Sequence, residues 1–557
     1  MSLPMNPNAV QPSAHLDTFA RDRLPPRDQW PVLLPAPAPL DTQARLNCAA
    51  ELLDRAIENG HGARPAIWSE VDGQPRATTY DALHTLVNRC AHVLVDEMGL
   101  VPGNRLLLRG PNTLEMAVAL LAALKAGLVV VPTMPLLRAK ELGQIVAKAR
   151  IGAALCDAAY FGELARCLDP GDACFRPELG TVMRFRGAGP DTLEAVSAAK
   201  PADFPACDTA SDDVCLIAFT SGTTGAPKGC MQVHRDVLAM CDLFSAHVLR
   251  PDAHDVFCGT PPLAFTFGLG GLLCFPLRVG ASAVLIERLA PARLLQTIER
   301  FRATIVFTAP TFYRQMAPLA RDFDLASLAK SVSAGEALPA ATRDLWRAAT
   351  GIEMIDGLGG TEMIHVFASS APGETRAGAI GRAVPGYVVA AFDDALRPVP
   401  PGAIGRLAVR GPTGCRYLDD ERQTQFVRAG WNLTGDAVSI DGDGYVFYHG
   451  RVDDMIVSSG YNIAGPEIED ALMQHPAVAE CGVAGVPDAL RGQIVKAWVV
   501  LNPGHAGDDA LAAALQDFVK QAVAAYKYPR EIAFVDALPR TETGKLRRAL
   551  LREIPVA

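Results

Sequence analysis

Long apolar runs, cysteine pairs and an excess of positive charge are all missing from this 557-residue chain. Its longest apolar stretch, 116–131, is broken by Lys125 and Gly127 and closed by Pro132. A membrane span needs about 20 apolar residues in a row. The stretch is therefore expected to be a buried helix over 114–124, capped by Asn112, that runs into a strand over 128–131. No CxxC occurs among the 13 cysteines, and their number is odd. Neither a disulfide framework nor a zinc site is expected, and a reducing cytoplasm is the simpler home. The net charge of −9 argues against a general nucleic-acid binder, which needs clustered basic surface to neutralise phosphates. Residues 1–45 are rich in Pro, Asp and Arg and hold no continuous apolar core, so no secretory signal is read there.

What remains has the composition of a soluble globular protein too long for one core. An irregular arm is expected over 1–45, where alternating prolines over 31–39 resist helix. From 47 onward, helical patterns at 47–59 and 79–97 alternate with short apolar runs at 105–108, 128–131 and 153–156. The rhythm returns with strand-like runs at 283–286, 304–307, 331–333 and 352–355 and a helix over 291–301. Strands alternating with helices predict an α/β fold of parallel-rich sheets flanked by helices, with ligands beyond the carboxyl ends of the strands. Past 385, short strands between Pro/Gly turns predict a small β unit over 385–451. The large domain is expected over 46–451. Residues 452–557 read as a mobile α+β C-terminal lid domain, joined at Val452-Asp453-Asp454.

One stretch dominates: Thr220-Ser221-Gly222-Thr223-Thr224-Gly225-Ala226-Pro227-Lys228. It follows the apolar run 214–219 and precedes a helical segment near His234, so a strand, a turn and a helix are expected in that order. Glycines let a backbone approach an anion, hydroxyls donate to its oxygens, and the lysine adds positive charge. Gly229 follows Lys228 where a Walker loop needs Ser or Thr. The stretch is thus a polyphosphate grip of another kind.

Four further constellations accompany it: Gly357-Leu358-Gly359-Gly360-Thr361-Glu362, Thr434-Gly435-Asp436, Gly450-Arg451-Val452-Asp453-Asp454 and Pro539-Arg540-Thr541-Glu542-Thr543-Gly544-Lys545. Each alone is weak. Together and in this order, over about 45–550, the chain resembles the acyl-adenylate-forming enzymes: acyl- and aryl-CoA ligases, adenylation domains of peptide synthetases and firefly luciferase. The resemblance implies an AMP-binding domain over 46–451 in which Thr220, Ser221, Gly222, Thr223, Thr224, Gly225 and Lys228 hold the β- and γ-phosphates of ATP. It implies that Thr361 contacts the α-phosphate, that Glu362 holds Mg²⁺, and that Asp436 and Arg451 bind the ribose. It further implies that the backbone of Gly335, Glu336 and Ala337 lines the adenine, and that Lys545 neutralises the reacting anions as the catalytic lysine. The lid would then turn about Asp453, and Ser459, Gly460 and Tyr461 would line the tunnel for the pantetheine of coenzyme A.

The acid pocket is expected around Phe265, Gly268, Leu358, Gly359 and Gly360. Many members of the family have histidine where this chain has Phe265, and tyrosine or tryptophan where it has Leu358. An aromatic wall beside an aliphatic residue and two glycines suits a flat aromatic acid. The whole chain resembles the benzoate-CoA and 2-aminobenzoate-CoA ligases, the arm over 14–31 and the segment over 454–463 included. An ATP-dependent aryl-CoA ligase is the reading, with 2-aminobenzoate favoured over benzoate or hydroxybenzoates. Its expected partners are the aromatic carboxylate, ATP and coenzyme A, and a homodimer is left open. The rivals are an adenylating enzyme that loads a carrier protein, a luciferase-type oxygenase, and a non-catalytic AMP-binding regulator.

Overall fold

Every residue of the strands Arg105–Arg109, Val129–Thr133 and Ala153–Asp157 is buried, as strands covered by helices on both faces must be. The computed structural model describes residues 12–36, 44–220, 227–458, 461–488, 491–540 and 546–554. In it those strands pair in parallel, flanked by Thr181–Phe185 on one side and by β1 (Val214–Thr220) on the other. The sheet ends at β2 (Lys228–Val233), which runs antiparallel to β1 with Thr220 opposite Lys228.

This corrects one expectation. Residues 220–228 join two antiparallel strands, and the His234–Met240 helix begins only after the second. Met231 and Val233 pack with Val214 and Ile217 in one buried cluster, and this burial extends the sheet before the helix can start.

A second sheet of nine strands holds β3 (Ile305–Thr308), β4 (Lys330–Ala334) and β5 (Met354–Gly359) side by side in parallel, with antiparallel strands at both edges. The Pro291–Phe301 helix buries Leu294, Leu295 and Ile298 completely, each stabilising the fold by roughly 1.5–3 kcal/mol. The expected β unit is an antiparallel sheet of Val388–Phe392, Ile404–Arg410, β6 (Trp431–Ile440) and β7 (Val446–Arg451). After it comes an α+β unit. Ile468, Leu472, Leu515 and Val519 of the helices Gly465–Met473 and Asp509–Ala522 pack there with Val483, Ala497 and Val499 of a separate sheet.

Two further details differ from the reading of the sequence. The arm is docked as well as irregular. Residues Phe19–Asp22 form a short helix, the Phe19 ring lies under the guanidinium of Arg105, and Asp17 pairs with Arg105. Asn112 is not the cap of the Leu114–Lys125 helix. The Thr113 hydroxyl takes that role by accepting from Met116 N. Asn112 instead donates to the Pro261 carbonyl at 2.9 Å and accepts from Leu263 N at 2.7 Å, which clamps the segment leading to Phe265. Among the described residues no helix is long and apolar enough to cross a membrane.

Candidate active site

The charged half of the site is built by strand register. Lys228 opens β2, and its Nζ lies 3.1 Å from the Tyr417 hydroxyl and 4.9 Å from the centre of that ring. The same hydroxyl donates to Glu362 Oε1 at 2.6 Å. Burial and the Glu362 carboxylate push the Tyr417 phenol far up, so it stays a donor. Tyr417 was not legible in the sequence, because no local motif marks it. Its segment runs beside β2 through Met231 N to Arg416 O and Leu418 N to Gly229 O, both at 2.8 Å.

That segment is anchored by a buried ion pair. Arg416 and Asp236 have fully buried side chains and meet at 2.7 Å. Asp236 also accepts from Val233 N at the start of its helix, and Trp30 of the arm lies 4.8 Å over the Arg416 guanidinium. The arm therefore supports the residue that aims Tyr417.

Glu362 sits in the short 3₁₀ turn Thr361–Met363 that follows β5. Gln232 of β2 donates to the Thr361 carbonyl at 2.8 Å, which ties the turn to the phosphate side. The next residue, Ile364, is buried with φ 66°. A β-branched residue there is strained, at a cost on the order of 1–3 kcal/mol, and the bend returns the chain so that Val366 pairs with Gly359. Glu362 Oε1 is taken by Tyr417, while Oε2 accepts no hydrogen bond from any described residue. A carboxylate on a half-buried residue that shares Tyr417 with Lys228 is the kind of hard donor a magnesium ion takes together with phosphates.

Asp436 of β6 and Arg451 of β7 face each other across the sheet, with Arg451 donating to Asp436 at 3.1 Å and to the Thr434 carbonyl at 2.6 Å. Burial raises the Asp436 carboxyl, and Arg451 opposes that rise. Gly435 between Thr434 and Asp436 has φ 78°, and a Cβ there would come within 2.5 Å of the Arg451 guanidinium. Only glycine serves at that point. The turn at 335–337 follows β4. There Glu336 is pinned by the Thr311 hydroxyl at 2.8 Å and by Arg540 at 3.5 Å, and Gly335 and Ala337 on either side are exposed. Asp356 was also missed by sequence reasoning. It lies opposite Ser333, and burial pushes its carboxyl up to about 7 against the pull of Arg343.

The acid side has a different texture. Phe265 is half-buried at the start of the Thr266–Leu269 helix. Gly268 is buried, and a Cβ there would collide with the Pro262 carbonyl, so packing already demands glycine at this position. Leu358 is half-buried against the main core, and Gly359 backs onto the His365 carbonyl. Three residues beyond Glu362, His365 places its ring 4.7 Å from Phe275, 5.3 Å from Phe244 and 5.7 Å from Phe267. Neither of its ring nitrogens makes a well-formed hydrogen bond among the described residues, although the Phe267 backbone is close enough to favour the protonated ring against burial. Burial lowers its pKa to about 3, so the imidazole is neutral. A side chain on Gly270 would reach that ring at 2.7 Å. The glycine-rich motif ending at Glu362 drew attention away from His365.

Asp453 falls in the 3₁₀ turn Val452–Asp454 between β7 and the next sheet. Ser221, Gly222, Thr223, Thr224, Gly225, Ser459, Gly460 and Lys545 lie outside the described residues. The backbone of Tyr461 pairs with Ser458 in a hairpin. Arg540 pairs with Leu546 across the segment that holds Lys545, and it bonds both Glu336 and Glu480. Ala340 N donates to Asp470, and Arg314 donates to the carbonyls of Val478 and Ala479. The C-terminal unit is thus tied to the turn that follows β4.

Residues 53–416 match the AMP-binding enzyme family, and 467–545 match the AMP-binding enzyme C-terminal domain. The benzoate–CoA ligase of Thauera aromatica is 34% identical over 529 residues, 93% of this chain and 97% of the relative. The acyl-coenzyme A synthetase ACSM5 of Mus musculus is 33% identical over 534 residues, 91% of this chain and 90% of the relative. The crystal structure of the anthranilate CoA ligase AuaEII in complex with anthranoyl-AMP superposes with a TM-score of 0.85 at 33% identity, covering 92% of this chain and 97% of that one.

Proposed function

The chain belongs to the AMP-binding enzymes and is an AMP-forming acid–CoA ligase; we propose that its acid is aromatic, with 2-aminobenzoate favoured over benzoate and hydroxybenzoates. Similar identity to a benzoate ligase and to ACSM5 leaves the acid to be argued from the pocket. The observation that carries the reading is His365: a buried, neutral imidazole among Phe244, Phe267 and Phe275 whose ring nitrogens make no well-formed hydrogen bond. A polar group left unpaired in an apolar shell costs about 1–3 kcal/mol. A flat ring with one hydrogen-bonding substituent relieves that cost and packs against the phenylalanines, whereas an alkyl chain does not.

In this reading the aryl carboxylate attacks the α-phosphorus of ATP, pyrophosphate leaves, and the thiol of coenzyme A then displaces AMP from the mixed anhydride. Lys228 and the residues of the 220–228 loop receive the leaving pyrophosphate. Tyr417 holds Glu362 in place, and Glu362 fits Mg²⁺, which when bound supplies positive charge against the phosphates. Asp436 and Arg451 accept from and donate to the ribose hydroxyls. Lys545 brings a further positive charge when its domain is closed, and Asp453 is the point about which that domain turns.

The test is a panel of benzoate, 2-amino-, 2-hydroxy- and 4-hydroxybenzoate, acetate and octanoate with ATP and coenzyme A, reading AMP release. The aromatic acids are expected to turn over, with 2-aminobenzoate first. Turnover led by acetate or octanoate would reject the aromatic assignment.

A further inference from the structure

Away from the nucleotide and acid sites, three chain segments deliver Cys48, Cys215 and His234 to one point in the core. The 44–46 segment is tied to 209–211 through Leu46 N to Thr209 O and Ser211 N to Ala44 O, both at 2.9 Å. The same stretch receives the start of the His234–Met240 helix through Arg235 N to Ser211 O at 3.0 Å. Cys215 is the second residue of β1. All three side chains belong to residues that are 0% exposed, and one ligand atom from each lies within 4.8 Å of the others. His234 Nδ1 is 3.2 Å from Cys48 Sγ and accepts from Cys48 N at 3.2 Å, while its Nε2 has no hydrogen-bond partner among the described residues.

We propose that Cys48, Cys215 and His234 form a structural site for a thiophilic closed-shell cation such as Zn²⁺. The donor types suit the ion: thiolate and imidazole are the ligands that select Zn²⁺ or Cu⁺ over hard cations, and the described residues supply one ligand fewer than a structural zinc site usually has. The charge is right for the place. Two thiolates with a divalent ion make a neutral unit, so the cluster escapes the penalty of an unpaired buried charge. The ion would pin the roots of β1 and of the His234–Met240 helix, the two elements between which β2 and Lys228 are held. The absence of CxxC hid this set, because its members are far apart in sequence.

The test is elemental analysis of the tag-free full chain, purified without chelator, for zinc and copper. About one equivalent of Zn or Cu per chain is expected, to be lost in Cys48→Ser/Cys215→Ser. Zinc and copper together below about 0.1 equivalent, or metal retained in the double variant, would overturn the proposal. Should the double variant fail to fold, Co²⁺ loading of the wild-type chain decides. Thiolate-to-cobalt charge-transfer absorption supports the site, and its absence rejects it. Thiol titration under denaturing conditions that finds two thiols fewer than the 13 cysteines would assign the pair to a disulfide and also overturn it.

Discussion

The nucleotide side and the acid side of the cleft hold their ionisable groups differently. On the nucleotide side the charges meet protein partners: Lys228 and Glu362 share Tyr417, Asp436 has Arg451, and Arg416 has Asp236, although Arg416 Nε and Nη2 and Asp236 Oδ1 make no hydrogen bond among the described residues. On the acid side His365 meets no charged partner, only the Phe267 backbone and a shell of phenylalanine rings. Paired charges keep a site organised before the substrate arrives, which is what a reaction between two anions needs. An imidazole with no well-formed hydrogen bond in a phenylalanine shell gives a ligand something to complete. The difference teaches where to look for catalysis and where to look for choice of substrate.

Breaking the paired side at its root has the largest expected effect. Arg416→Met strands Asp236 in the core and is expected to cost about 3–5 kcal/mol of stability, read as a fall in the thermal midpoint. A midpoint within a degree or two of wild type would mean that this pair does not anchor Tyr417. Next comes Glu362→Gln, which leaves the shape intact and is expected to slow adenylation by about 10²–10³, measured as pyrophosphate release. Tyr417→Phe removes one charge-assisted hydrogen bond, worth about 1.5–3 kcal/mol. Its loss is expected in adenylation, while thioester formation from supplied aryl-AMP stays near wild type.

The smallest effect belongs to the acid side. His365→Leu removes a polar group with no well-formed hydrogen bond and is expected to leave the thermal midpoint at neutral pH unchanged or raised. Its signature is pH dependence. The folded-state pKa of about 3 lies below the ordinary 6.5, so the folded chain binds fewer protons than the unfolded one between those values. Stability from the neutral imidazole is full above 6.5 and is lost as pH falls toward 3. The midpoint of His365→Leu minus that of wild type is therefore expected to grow from about pH 7 to about pH 5. A constant difference would mean that His365 is not held neutral by burial.

What the sequence made legible was local. The glycine turn at 335 and the alternation of strand and helix are written in neighbouring residues, and that turn sits where expected at the end of β4; Gly357, Gly359 and Gly435, expected in turns, lie instead inside β5 and β6, whose pairing extends past the expected strand ends. What it hid depends on distant pairing. Tyr417 reaches Glu362 from 55 residues away and Arg416 reaches Asp236 from 180, and only sheet register brings them together. Asn112 looked like a cap because it precedes a helix, yet its better partners lie on the 261–263 segment. The strand at 228–233 was missed because a phosphate-binding loop usually leads straight into a helix.

The most direct test of the account is the ratio of kcat/KM for 2-aminobenzoate over benzoate in wild type and in His365→Leu. One hydrogen bond to a ring substituent is worth about 1 kcal/mol, so wild type is expected to favour 2-aminobenzoate by about fivefold to tenfold and the variant to treat the two acids alike. A preference that survives in the variant, or a wild-type ratio at or below one, would contradict the claim that His365 chooses the acid.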